Sequence, residues 1–370
     1  MFPRNDTISR RQLVAMGVMC MLSPLIRRIP GRVVAIAGAG AWLSVLLAAA
    51  PLILLVLLAL HMSRRGRDLG SLFLEIYGPL GRLLLLLYSA WFTFMAAFTL
   101  RSDADRFITT VYPNSSPAIF VLTMLAALLP ALWGPLKALA RSAMLLRPVM
   151  VGILLLVFAF SLGDVDMEGL WQPAEGSDLP ILLGALDVLN PLSVCLYLGF
   201  LADRVKEPLR FSQTAAWLGA VLAIAAGMVI VTVGLLGVEL TARIRNPFFA
   251  VLRDLTLFGT VEHVEAVLVS AWVFSDFIYL ATLGKLAARC LCLALSIPSP
   301  EEAPAKRRLS QGRFAVPLFA ALAGTAALCI APRSSDLLPL SNTVVPLINL
   351  SMTLGLLPLT ALLGRLRQKL

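Results

Sequence analysis

Apolar positions along this chain come in long unbroken runs rather than at amphipathic spacing. A hydrocarbon core about 30 Å thick takes about 20 apolar residues of helix to cross, so stretches lacking Asp, Glu, Lys and Arg mark spans. Five are plain: residues 33–63, 83–100, 211–238, 314–332 and 337–364. A sixth lies within 107–136 and starts near Pro117, and the uncharged stretch 148–163 is the heart of a seventh that begins near Ser142. Three further apolar segments are interrupted: 12–26, 179–202 around Asp187, and 264–284 around Asp276. The pattern predicts an all-α polytopic membrane protein of ten transmembrane helices in a single membrane domain covering 1–370, with an outer-loop helix near 247–261 and a linker at 296–313.

Basic residues test that count, because Lys and Arg accumulate in cytoplasmic loops. With the N-terminus inside, ten spans put 22 of the 31 Lys and Arg on the inner side and leave 9 outside. Dropping any interrupted span would invert every later loop and spoil the asymmetry. Both termini are therefore expected in the cytoplasm. Arg10 and Arg11 followed by 15 uncharged residues also look like a signal peptide, but no small-residue cleavage site follows promptly and Arg27 and Arg28 close the run, so the first span is expected to be retained.

Composition agrees: 59% of residues are hydrophobic and 14% charged, against about 45–50% and about 25% in soluble domains. The net charge of +10 is spread over short loops, which fits orientation and contact with anionic lipid rather than nucleic acid. Two histidines and five cysteines give no clustered zinc or iron ligands, and the cysteines sit mostly singly in apolar runs, as buried thiols do. No phosphate-binding glycine loop precedes a lysine, and no Ser or Cys has a plausible histidine base. No catalytic residue, metal or cofactor is expected, and the protein is not read as an enzyme. Asp164, Asp166, Glu168, Gly169 and Glu175 have the spacing of a calcium loop. Pro173 inside it and the lack of flanking soluble helices favour an acidic outer loop.

Ten spans divide into two sets of five of opposite orientation, about 8–163 and 179–364. Proteins built this way bind ligands at mid-membrane where the first helix of each half is broken, and Pro or Gly at matching positions points there. Ser23-Pro24 in helix one and Asn190-Pro191-Leu192-Ser193 in helix six match. Asp187 and Asp276 are costly in a span and are expected to face a cavity or partner. Asp187, Asn190, Val194 and Tyr197 share one helical face, as do Trp272, Ser275, Tyr279 and Thr282 beside Asp276. Tyr88, Phe92, Met95 and Thr99 form a third such stripe, in which Phe92 and Met95 read as packing and Tyr88 as a possible cavity residue.

The opening Ile8-Ser9-x-x-Gln12, the run Ala37 to Ser44 around Trp42, and Asn246-Pro247-Phe248-Phe249 followed by Val261-Glu262-His263-Val264-Glu265 and Ala271-Trp272-Val273 resemble the spore germination permeases. These are the B subunits of nutrient germinant receptors, in the amino acid/polyamine/organocation transporter superfamily. Gly40, His263 and Ser23-Pro24 depart from that family's pattern. The resemblance implies a leucine-transporter-like 5+5 inverted repeat with helices one and six broken, in the inner membrane of a spore. It implies a small germinant, often an amino acid, bound between helices one, three, six and eight, and partnership with A-type and C-type receptor subunits. Ser23, Tyr88, Asp187, Asn190, Ser193, Ser275, Asp276 and Tyr279 become the candidate ligand-binding residues, with the germinant carboxylate on free backbone donors of a broken helix and the helix after Pro247 as a lid. A stand-alone H⁺- or Na⁺-coupled amino acid permease would use the same cavity.

Overall fold

The computed structural model describes residues 6–63, 67–110, 112, 114–161, 163–167, 170, 178–207, 210–254, 264–297 and 314–367. Among these, seven helical stretches are long and apolar enough to cross a membrane. The first, Arg10–Met62, has 53 residues, about 80 Å of helix at 1.5 Å per residue, which is more than one crossing can use. It divides at Gly38, whose φ of 56° is a conformation open to glycine and strained for other residues. That split and two shorter apolar helices, Pro117–Trp133 and Ala315–Cys329, bring the number of spans to ten.

The helices, in chain order, are α1 (Arg10–Ala37), α2 (Ala41–Leu47), α3 (Ala49–Met62), α4 (Leu69–Tyr77), α5 (Pro79–Thr110), α6 (Pro117–Trp133), α7 (Leu136–Ser161), α8 (Leu179–Leu192), α9 (Val194–Tyr197), α10 (Phe211–Arg243), α11 (Pro247–Asp254), α12 (Val264–Ala294) and α13 (Ala315–Cys329). The last span, Ser334–Leu366, is termed α14 and carries two π-helical stretches, Leu340–Val344 and Ser351–Gly355. Helix α1 is the hub, packing on α7, α8, α10 and α12, while α5 lies against α12 and α13. Large apolar side chains face outward, with Leu145 72% and Leu54 66% exposed, as expected where lipid is the solvent.

Local chemistry explains the boundaries. Ser9 caps α1: its Oγ accepts from the Gln12 N–H at 3.3 Å, and Gln12 Oε1 accepts from the Ser9 N–H at 2.8 Å. This reciprocal capping box satisfies two orphan donors and accounts for the Ser9-x-x-Gln12 motif. Opening of α1 at Ser23-Pro24 does not occur. The helix runs unbroken through Pro24 and Pro30, because each proline removes only one backbone donor and neighbouring helices take up polar groups nearby. The sixth span does change form: α8 ends at Leu192, Ser193 caps it, and after the single turn of α9 the chain tightens into a 3₁₀ helix over Leu198–Arg204.

Two ends of the bundle differ. At the end where α1 starts and the last span finishes, Ile8 pairs with Val205, Asp6 accepts from the backbone N–H groups that open α7, and Arg289 holds Asp68 at 3.1 Å and Asp203 at 2.8 Å. Lys285 donates to the carbonyls of Leu132 and Gly134, where the last turn of α6 has lost its helical partners. This end is closed. Of the outer-loop helix expected at 247–261, residues 247–254 are helical as α11, and 255–263 lie outside the described residues, as do 298–313 of the linker and much of the acidic loop around Gly169 and Glu175.

Close approach of α8 to α2 depends on Gly184, where an added Cβ would stand 2.5 Å from Ser44 Oγ. Ser44 in turn donates to the Ile181 carbonyl at 2.9 Å. Gly184→Leu is expected to destabilise the protein by about 1–3 kcal/mol through overpacking, read as a lower midpoint in detergent thermal unfolding. Gly152→Leu, with nothing within 4 Å of the new Cβ, is the control that should leave the midpoint in place.

Candidate functional site

The candidate site grows from charges carried on α1, α5, α8 and α12. On α5 the sequence Arg101-Ser102-Asp103-Ala104-Asp105-Arg106 spaces opposite charges at three residues (Asp103, Arg106) and at four (Arg101, Asp105), so each pair meets on its own side of the helix. All four are buried. Arg106 donates to Asp103 and stands 3.2 Å from Asp276 of α12. Arg27 of α1 lies 3.4 Å from Asp103 and 3.6 Å from Asp276. Ser23 donates to Asp276 and accepts from Arg27 at 3.1 Å. Two guanidiniums and two carboxylates therefore neutralise one another across three helices, which is what allows ions to remain inside a membrane domain. The Arg106 guanidinium also sits 3.1 Å over the Trp272 ring, a cation–π contact, and Phe249 of α11 covers that ring at 4.5 Å between centroids.

A second ion pair ties α1 to α8 and α14. Arg28 reaches Asp187 through Nε at 3.2 Å and through Nη2 at 2.5 Å, a two-point grip that fixes both planes. Its Nη1 donates to the Ser341 carbonyl and hydroxyl. That carbonyl is available because α14 is π-helical there, with Val345 N–H bonding Leu340, and the residue five positions after Ser341 is Pro346, which has no N–H.

Below Arg27 and Arg28 lies a small cavity of about 50 Å³ walled by Met95, Thr99, Asn190, Pro191 and Tyr279 among others. The Tyr279 hydroxyl is fully buried with no hydrogen-bond partner among the described residues. Buried hydroxyls are normally satisfied, and this one belongs to a residue that walls the cavity. Above the two arginines a larger cavity of about 320 Å³ opens. The two share Arg27, Arg28, Phe98 and Ser341 as walls, so the arginines form a floor between them.

The expected residues are distributed unevenly about this site. Asn190 and Tyr279 line the small cavity. Ser23, Asp187 and Asp276 hold the arginines of its roof. Ser275 donates to the Met19 carbonyl at 2.8 Å, locking α12 to α1. Ser193 donates to the Asn190 carbonyl at 2.9 Å and accepts from Asn349 at 2.8 Å, so it shapes the break in the sixth span. Tyr88 is not brought to the cavity. Its hydroxyl donates to the Met352 carbonyl at 3.0 Å and its ring packs among Phe73, Phe92, Tyr197 and Phe200. Continuity of α1 leaves the sixth span as the one of the two expected breaks that is present, and beside the unbroken stretch of α1 stand the guanidiniums of Arg27 and Arg28.

Sequence reasoning missed Arg27, Arg28, Asp103, Arg106, Ser341 and Asn349. Charge-free runs end a span at the first charge, so the third helix stopped at Leu100 and the first at Ile26, whereas α5 continues to Thr110 and α1 to Ala37. The opposite-charge spacing on α5 was the available signal.

Solved structures share this architecture. A Na⁺-coupled sialic acid symporter in a substrate-bound outward-open state matches with a TM-score of 0.69 at 12% identity, covering 97% of this chain and 82% of the symporter. MhsT in complex with L-phenylalanine matches with a TM-score of 0.56 at 17% identity, covering 98% and 99%. Both fix the fold as leucine-transporter-like, two inverted five-helix repeats, and at these identities fix nothing more. No curated protein sequence matches the chain. The family model described as spore germination protein matches residues 7–295. That match takes in every charged residue of the site, and the chain belongs to the spore germination protein family.

Proposed function

We propose that the protein is the membrane subunit of a nutrient germinant receptor in the spore inner membrane, working with A-type and C-type subunits and catalysing no reaction. The observation that carries this is the pair of cavities meeting at Arg27 and Arg28, with the unpartnered Tyr279 hydroxyl in the lower one. At about 50 Å³ the lower cavity has room for a few water-sized molecules and none for an amino acid. Ligand entry therefore requires rearrangement of the Arg28 contacts to Asp187 and Ser341. A ligand shifts such an equilibrium by the difference in its affinities for the two arrangements, and this is the signal that partner subunits would receive. Helix α11, resting on Trp272 through Phe249, is positioned to follow the change as a lid. A proton- or Na⁺-coupled permease is the second reading, favoured by the sialic acid symporter's likeness.

Tyr279→Phe removes only the orphan hydroxyl. It is expected to leave the unfolding midpoint within about 0.5 kcal/mol of wild type while raising the germinant concentration for half-maximal response about tenfold, as loss of one buried ligand hydrogen bond of about 1.4 kcal/mol does. An unchanged dose response would remove Tyr279 from the site. Ligand itself is sought by thermal-shift screening of the purified chain against amino acids, sugars and nucleosides, since a ligand at a hundred times its Kd adds about 2.7 kcal/mol. Uptake of a hit into liposomes holding this chain alone would decide for the permease.

A further inference from the structure

Resting on the nutrient-site reading above, we infer that the ligand is a small organic anion, taken by a carboxylate onto the guanidiniums of the larger cavity. Among the described residues, the walls of that cavity carry Arg27, Arg28, Arg32, Arg106, Arg243 and Arg245 against a single acid, Asp105. Pairing does not cancel this excess. Arg27 and Arg106 are balanced by Asp103 and Asp276, and Arg28 by Asp187. Among the described residues, Asp105 is shared between Arg101 at 3.8 Å and Arg245 at 2.8 Å, and the ion-pair partner of Arg243 is the exposed Glu239 at 3.7 Å.

Arg32 has no ion-pair partner among the described residues, and its Nε is buried without a hydrogen-bond partner. It stands one helical turn above Arg28 on α1, so the two project from neighbouring positions on one face. A guanidinium presents a planar fork matched to a carboxylate, and Arg rather than Lys is the residue for such recognition. Walls of low dielectric around one sign of charge also concentrate the opposite ion before it binds. The volume of about 320 Å³ accommodates a metabolite-sized anion at the lower limit of ordinary ligand pockets, about 300 Å³.

The experiment is a charge series of small straight-chain ligands, using the full chain in nanodiscs: glutarate, L-glutamate, L-glutamine and L-lysine, each titrated by thermal shift at low and high salt. Glutarate and glutamate are expected to stabilise the protein at concentrations at least tenfold below glutamine, with lysine inactive and the anion effect weakening as salt rises. Arg32→Gln, which breaks no ion pair or side-chain hydrogen bond among the described residues, is expected to lower anion affinity about three- to tenfold at low salt and to leave the unliganded midpoint unchanged. Stabilisation by glutamine with none by glutamate or glutarate would overturn the anion assignment and leave the nutrient site standing. No stabilisation by any of the four, together with none in the wider nutrient screen, would overturn both.

Discussion

Asp276→Ala is expected to cause the largest loss of stability of any single substitution at the site. Asp276 accepts from Ser23 and from Arg106 at 3.2 Å and lies 3.6 Å from Arg27. Without it, one carboxylate, Asp103, remains for two buried guanidiniums. Removing one partner of a buried ion pair costs about 3–5 kcal/mol, chiefly because an uncompensated charge is left in a poorly solvating interior. The purified variant should unfold at a markedly lower temperature and accumulate poorly in the membrane. Asp276→Asn, which keeps an acceptor for Ser23 but not the charge, should fall between. Combining Asp276→Leu with Arg106→Leu restores charge balance around Asp103 and Arg27, and should recover much of the loss even though it removes more native atoms. Equal melting of wild type and Asp276→Ala would mean that the four-charge cluster does not hold α1, α5 and α12 together.

That cluster also marks where the sequence stops being legible. Long apolar runs foretell spans well because hydrocarbon imposes one rule on every residue, and the ten spans follow from it. Ser9 and Gln12 were visible as a motif because capping is local, needing residues three apart and no tertiary partner. Asn190, Pro191 and Ser193 were visible for a related reason, since proline removes a backbone donor from its own helix. Arg27, Arg28, Asp103 and Arg106 look like loop residues in the sequence because a charge looks equally costly wherever it stands, and only its neighbours in space decide whether it can be buried. Asp276 is 173 positions from Asp103 in the chain, and no local pattern links them. Tyr88 failed in the opposite direction. Its helical stripe was real, but the stripe turns toward Phe73 and Phe200, and spacing alone names a face without naming what the face meets. The expected opening of α1 failed because proline permits a break without compelling one.

Asn349→Leu is expected to uncouple the sixth span from the last. Asn349 Nδ2 donates to the Asn190 carbonyl at 2.9 Å, to Asn190 Oδ1 at 2.8 Å and to Ser193 Oγ at 2.8 Å, while its Oδ1 accepts from the Tyr197 hydroxyl. Tyr197 in turn accepts from Trp91 Nε1 at 3.1 Å. One amide therefore satisfies the groups released around Pro191 and connects α5, the α8–α9 break and α14. Leucine keeps the branch at Cγ but carries no polar atom, so the loss is chiefly polar, and the Tyr197 hydroxyl and Asn190 Oδ1 lose their partner inside the membrane domain. At about 1–3 kcal/mol for each buried group left unsatisfied, the variant should lose about 2–5 kcal/mol. Because Asn190 also lines the small cavity, the germinant response should fall further than stability alone explains. The measurement is a dose response normalised to folded protein, alongside the unfolding midpoint. Asn349→Gln, which keeps the amide on a longer stem, separates the two contributions: recovery of the midpoint without recovery of the response would place the position of the Asn190 side chain, rather than the strength of the helix contact, in control of ligand recognition.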